Sequence, residues 1–441
     1  LRFYSDFSLQ RGQTRFYRIR TQVGSFVFAP SEAVIASTLD RSIASSSTSE
    51  HSLALAADGT VWAWGKNDRK QLGLEFSPSI PFDVFPRQVK YLSGDFLENF
   101  MAISAGSSHS LALRADGTVW AWGDNSSGQL GVGLLGGSYH YPQQVYLGQT
   151  TPLDHIVAIA AGENYSFALR ADSTVWAWGR NNDGQLGLGF FHPLPISTPQ
   201  QVKLDDTTPL SQIVSIAAGK EHSLALTSDG SVFAWGTDEA GQLGYENIVN
   251  ISPVASHTPN LVMADAENPL KQIVGISAGN LHSLALTLAG TVWAWGGDVY
   301  GQLGDGQEPS SNQNPVIVVT EEGDSLKGVV SISSGGFHNL VVRNDGTLWS
   351  WGLGDKGQLG IGLGQFGAPY ALSVSLGTAS VSFAQAGASH SLVMMTDGTV
   401  RSWGKNYYGS LGNGQGGPLT DQPSPVEVLE AGVVTPFSLY N

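Results

Sequence analysis

Six of the ten histidines in this 441-residue chain, His51, His109, His222, His282, His338 and His390, recur at one position of a repeated stretch, and Tyr165 stands there in the third copy. A ring of imidazoles could hold a metal or relay protons, and a Ser directly after most of them invites a nucleophile–base pair. Neighbouring strand residues point to opposite faces, however, so His109 and Ser110 cannot hydrogen-bond to each other. The plainer expectation is that each imidazole bonds backbone within its own repeat, which the Tyr165 exception suits better.

Other chemistry is sparse. With no cysteine there are no disulfides, thiolate metal sites or cysteine nucleophiles. Three G-x-G-x-x-G matches begin at Gly131, Gly352 and Gly362, but none opens an expected helix, so a dinucleotide site fails its context test. Asn181-Asn182-Asp183 and Asp238-Glu239 offer oxygens to calcium, yet turn formation explains them equally and no D-x-D-x-D-G loop occurs. The Gln-Leu-Gly triplets that end six repeats, with Ser410-Leu411-Gly412 as the variant, read as a buried amide beside a packed leucine. No catalytic residue, metal or cofactor is expected.

A formal charge of −15 argues against nucleic acid and against acidic partners. The charge is uneven, because Arg2, Arg11, Arg15, Arg18 and Arg20 crowd the first twenty positions. No apolar run reaches the roughly 18–20 residues that span a bilayer. Residue 1 is Leu rather than Met, which suggests a processed product or a fragment.

The elements that position these residues follow from the repeat. A unit reading A-G-x-x-H-S-L-A-L-x-x-D-G-T-V-W-A-W-G-x-N-x-x-G-Q-L-G recurs with its second tryptophan at Trp64, Trp122, Trp178, Trp235, Trp295, Trp351 and Trp403. All twelve tryptophans fall inside it. Ser52–Leu55 and Thr60–Trp64 joined through Asp58-Gly59 are a hairpin signal, since Asp and Gly accept the positive φ of a tight turn. One β-prone run precedes each hairpin, as at Ile213–Ala218, and another follows, as at Pro199–Leu204. Four strands over some 50–60 residues make a propeller blade. The fold expected is all-β, a seven-bladed propeller of four-stranded blades over 44–441, with residues 1–43 as a short N-terminal β arm or the remnant of an upstream domain. In the first unit, Ser45 and Thr48 replace the usual Ile and Gly, so outside strands are expected to complete it. Val433–Phe437 is placed to supply one and close the ring.

These motifs resemble the RCC1 (regulator of chromosome condensation) repeat, which pairs G-x-x-H-S/T-L-A-L with W-G-x-N-x-x-G-Q-L-G, and the resemblance covers about residues 42–430. That family includes a nucleotide exchange factor, a plant ultraviolet photoreceptor, a β-lactamase inhibitor and many bacterial surface or secreted proteins, so fold alone does not choose a function. The photoreceptor role would need tryptophans in a G-W-R-H-T element at the blade tops, and the residues just before the motif histidine here, Glu50, Ser108, Asn164, Glu221, Leu281, Phe337 and Ser389, include none. The exchange-factor role would imply a basic, chromatin-docking tail, which the net charge does not fit. Motif style is similar to the bacterial secreted members, implying an extracellular or surface-displayed protein.

Distinctive function is expected in the loops that vary between copies: Leu74–Pro86, Val132–Pro142, Phe190–Pro199, Tyr245–Pro259 and Asp305–Pro315. Their aromatics Phe82, Phe85, Tyr139, Tyr141, Phe190, Phe191 and Tyr245, together with Phe76, are candidate anchors for a protein partner, or else pins that hold the loops to the rim. Arg15, Arg18 and Arg20 in the β-prone stretch 1–28 are candidates for self-association into an oligomer or fibre. The function expected is therefore a non-catalytic protein-binding or structural module. The alternatives are a propeller-based enzyme, an inhibitor-type binder of a foreign protein, or a guanine nucleotide exchange factor.

Overall fold

In the computed structural model, residues 43–441 are described apart from 75–80, 149, 206, 246–254, 308–309, 363–365, 433–434 and 441; within 1–42 only four short strands are described. Two compact units emerge, Leu1–Arg41 and Ser42–Asn441. In the first, Thr14–Tyr17 pairs antiparallel with Val34–Ser37, and Gln22–Val23 pairs with Phe26–Val27.

The second unit consists of seven four-stranded antiparallel sheets. Each runs in chain order through an inner strand, a histidine strand, a tryptophan strand and an outer strand, as in Ile213–Ala218, His222–Thr227, Val232–Thr237 and Ala255–Leu261 of blade 4. Blade 1 begins at Ile43–Ala44, so the boundary expected after residue 43 falls slightly earlier, at 41/42.

Apolar material on both faces of each blade packs against its neighbours, which places the core between blades. In one such interface Leu53, Val61 and Ala63 of blade 1 meet Ile103, Ala112 and Trp122 of blade 2. The second tryptophan of every unit is fully buried. Its indole N–H donates to the preceding blade, as in Trp122 to the Gln71 carbonyl at 2.9 Å and Trp178 to that of Gln129 at 2.8 Å. Tryptophan therefore contributes both apolar area and a directed bond across the interface.

Ring closure involves the stretch that follows the seventh unit. Blade 1 has an inner strand of two residues, Ile43–Ala44. Leu439 stands at its open end; of the stretch 433–437 expected to supply a strand, Val433 and Val434 lie outside the described residues. Leu439 N donates to Gly398 O of blade 7 at 3.0 Å, and Leu439 O accepts from Ala57 N of blade 1 at 2.9 Å. Phe437 and Leu439 share a buried cluster with Ile43, Ala54 and Trp64 of blade 1 and Leu392 and Val400 of blade 7. The chain's last described residues thus join first blade to last.

Candidate functional site

The six motif histidines are all buried. The imidazoles do not bond backbone within their own blades; each reaches the next blade. His51 Nε2 lies 2.9 Å from Ser110 Oγ, His109 Nε2 2.9 Å from Ser166 Oγ, and His222 Nε2 3.0 Å from Ser283 Oγ. His282 meets Asn339 Oδ1 at 2.8 Å, His338 meets Ser391 at 2.9 Å, and His390 meets Ser52 at 3.1 Å across the closure. Tyr165 bridges differently, donating its hydroxyl to His222 O at 2.6 Å.

The acceptors define the proton. Ser110 Oγ donates to Gln71 O at 2.7 Å, so toward His51 it can only accept, and Asn339 Oδ1 is an acceptor by nature. Each Nε2 thus carries a proton. Burial disfavours a second one, pulling His51, His109, His222 and His338 down to about 3 and His282 and His390 to about 4. A serine fully buried and already donating to a carbonyl is not a nucleophile. The ring is a girdle of the scaffold.

The glycine of G-x-x-H makes this possible. A Cβ on Gly106 would sit 2.2 Å from the His109 ring and one on Gly279 2.2 Å from that of His282, so the loop must leave this space empty. In blade 1, Thr48 replaces that glycine, and Ser49 Oγ approaches His51 Nδ1 at 2.9 Å.

Because the histidine strand has the G-x-x-H loop at one end and the Asp-Gly turn at the other, the propeller has two distinct ends. At the histidine-loop end the residue before each motif histidine is half-buried, and the residue after each Trp-Gly bonds to it, as in Lys66 N to Glu50 O, Arg180 N to Asn164 O and Leu353 N to Phe337 O. The loops from tryptophan strand to outer strand open at this same end.

Two ion clusters and one apolar cluster occupy it. Glu50 takes Lys405 at 2.5 Å and Lys66 at 3.2 Å; burial pushes its carboxyl up, but the bond to Lys405 and both ammonium charges hold it below the usual range. Arg180 contacts Glu221 at 2.9 Å, Asp183 at 3.3 Å and Glu163 at 3.8 Å. On blades 5 and 6, Tyr300 stacks edge-on against Phe337 at 5.2 Å and against Phe366 at 6.3 Å between centroids. Phe366 is 70% exposed and neighbouring Val299 67%, so these rings form an apolar surface that the propeller's own packing does not consume.

The anchors expected from sequence are scattered among blades. Phe82 packs on Tyr408 of blade 7 at 6.5 Å, and the Phe85 ring lies over Gly414. Tyr139 and Tyr141 lie on the outer strand of blade 2, Tyr139 lining a groove of about 660 Å³ with Trp120, Pro142 and Tyr146. Phe191 stacks on His257 of blade 4 at 4.7 Å, while Phe190 meets His192 at 6.0 Å. Tyr245 is half-buried, and burial pushes its hydroxyl up to about 12. Phe76 and the side chains of Arg15, Arg18 and Arg20 lie outside the described residues. Among the described residues no group of three or more His, Asp or Glu is placed to share a metal ion.

The Tyr300–Phe337–Phe366 cluster was missed because its members come from two blades and three loops. One signal was available: Leu281 and Phe337 are apolar at the position before the motif histidine, where the other five units carry Glu, Ser or Asn.

Comparison with known proteins agrees with this architecture. Residues 193–438 match the RCC1-like domain, and residues 42–71, 102–129 and 156–185 match the RCC1 repeat. The chain is 36% identical over 308 residues to the human probable E3 ubiquitin-protein ligase HERC6, covering 69% of this chain and 28% of that protein. It is 31% identical to the ultraviolet-B receptor UVR8 of Arabidopsis thaliana, covering 74% of this chain and 69% of the receptor. The solved structure of yeast RCC1 (Prp20) bound to Kap60 superposes with a TM-score of 0.71 at 25% identity, covering 86% of each chain. The chain spans only about a quarter of the human ligase, and what it shares along that length is the propeller. With the repeat, the seven blades and the matched domain in agreement, this protein belongs to the RCC1-like family.

Proposed function

We propose that this propeller is a non-catalytic protein-binding module whose histidine-loop end is the binding face, anchored by Tyr300, Phe337 and Phe366. The observation that carries the reading is the 70% exposure of Phe366 within an otherwise packed aromatic cluster. Rigid aromatic anchors beside a polar surround are the pattern that concentrates binding energy at interfaces. The fully buried, already bonded histidines and serines leave that ring no catalytic task. The yeast relative, solved with a second protein bound, supports a protein partner for this fold. Phe366→Ser should weaken a purified partner by at least about thirtyfold, the size of a hot-spot loss, without lowering thermal stability. Retention of full affinity by Phe366→Ser and Val299→Ser would remove the reading.

Two further proposals concern setting. Display outside the cell is tested by protease added to intact cells, which should degrade the protein without lysis. Self-association through residues 1–28 is tested by light scattering with and without residues 1–41, an unchanged monomer in both cases ruling it out.

A further inference from the structure

The Asp-Gly end contains an exception that the repeat does not require. Six of the seven turns place an aspartate there, Asp58, Asp116, Asp172, Asp229, Asp345 and Asp397, and where Thr follows, the carboxylate caps the turn, as Asp116 Oδ1 does for Thr118 N at 3.0 Å. Blade 5 has Leu288-Ala289-Gly290 instead. The cap is replaced locally, Thr287 Oγ1 accepting Thr291 N at 3.1 Å, so the turn is kept while its charge is given up. Leu288 is 57% exposed.

Its surroundings are apolar at the centre and acidic outside. The turn is stitched to the start of the next inner strand, Val329 N donating to Gly290 O at 3.0 Å, and Val330 beside it is 55% exposed. Two interblade loops flank it. The loop closed by the Met263–Pro269 bridge carries exposed Asp265 and Glu267 and leads to Gln272, whose carbonyl accepts Leu288 N at 3.0 Å. The loop closed by the Val319–Ser325 bridge carries exposed Glu321, Glu322 and Asp324 and leads to Val329. Of the two lysines on these loops, Lys271 is bound to Asp229 at 2.9 Å, and exposed Lys327 follows Glu321, Glu322 and Asp324, which outnumber it.

We propose that this patch is a second docking surface, on the end opposite the aromatic cluster, and that it takes a basic amphipathic peptide segment of a partner protein. An apolar side chain of the segment lies on Leu288 and Val330, and its Lys or Arg residues face the carboxylates of the two loops. Charge complementarity selects that occupant, because an acidic or neutral segment would desolvate these carboxylates without return.

The test uses the full chain and a fluorescein-labelled synthetic peptide of alternating Leu and Lys, with a Ser-Lys peptide of equal charge as control, read by anisotropy at low salt. The Leu-Lys peptide should bind at least tenfold more tightly than the control. The double variant Leu288→Ser/Ala289→Asp has the turn sequence of blade 4, so it folds, and it should lose at least tenfold in Leu-Lys affinity although it adds a negative charge. The triple variant Glu321→Gln/Glu322→Gln/Asp324→Asn should weaken both peptides. Equal or tighter Leu-Lys binding by the double variant would reduce the effect to bulk charge and overturn the proposal. So would unchanged binding by the triple variant, or concentration-dependent dimerisation that the double variant abolishes, which would make a second copy the occupant.

Discussion

His51 of blade 1 and Ser110 of blade 2 stand 2.9 Å apart although 59 residues separate them in sequence. The same step repeats around the ring, and at the closure His390 returns to Ser52. Six of the seven blade-to-blade steps are therefore made by a buried imidazole N–H, and the step from blade 3 to blade 4 by the Tyr165 hydroxyl.

Acid should unfold this protein steeply. The six histidines sit near 3 or 4 when folded and near 6.5 when unfolded, so the unfolded chain binds more protons as pH falls below about 6.5. Their contribution is fully present above that pH and is lost on acidification, with a slope approaching about 8 kcal/mol per pH unit if all six titrate together. Urea unfolding between pH 7.5 and 4.5 should show the loss; a flat profile would mean the imidazoles are not held neutral.

Ser166→Ala and Ser52→Ala should differ. The first leaves the His109 N–H buried without an acceptor and should cost about 1–3 kcal/mol. The second should cost less, because Ser45 Oγ also lies 3.3 Å from His390 Nε2. Denaturant midpoints of the two variants check the order.

Asp238 occupies a position where four other blades have Asn67, Asn125, Asn181 and Asn406. Its Oδ1 accepts Leu243 N at 2.9 Å, but Oδ2 is buried without a partner and burial raises the carboxyl to about 6. A raised acid stabilises the fold at low pH and loses that contribution as pH rises through its folded value. Asp238→Asn should therefore raise the melting temperature at pH 8, by up to about 3 kcal/mol in stability, and have little effect near pH 4. Equal effects at both pH values would contradict the burial argument.

Phe437→Ala removes a ring from the closure, where Phe437 meets Trp62 at 5.2 Å and Trp64 at 6.2 Å. A loss of about 3–4 kcal/mol is expected, the usual cost of emptying a buried aromatic site. Thermal unfolding should fall accordingly; an unchanged transition would place the seam elsewhere.

Much of the fold was legible because the repeat spends all twelve tryptophans on the scaffold. Trp64 and its six counterparts marked the blades, and each Asp-Gly or its variant marked a hairpin. The histidine pairing was not legible, since each partner lies one blade onward and local spacing argues only about neighbours. Closure was half legible: the need for an outside strand showed in Ser45 and Thr48, whereas Phe437–Leu439 carries no repeat motif. The aromatic face was the least visible, because Tyr300, Phe337 and Phe366 become neighbours only when two blades are placed side by side.

The central claim, that the histidine-loop end binds a protein through this cluster, is most directly tested by a photo-crosslinking residue at Phe366 in the native host. Leu92, 78% exposed at the opposite end, is the control position. A discrete adduct from position 366, absent from position 92 and lost on Val299→Ser/Tyr300→Ser, is the predicted result. No adduct from position 366, or the same adducts from both positions, would contradict it.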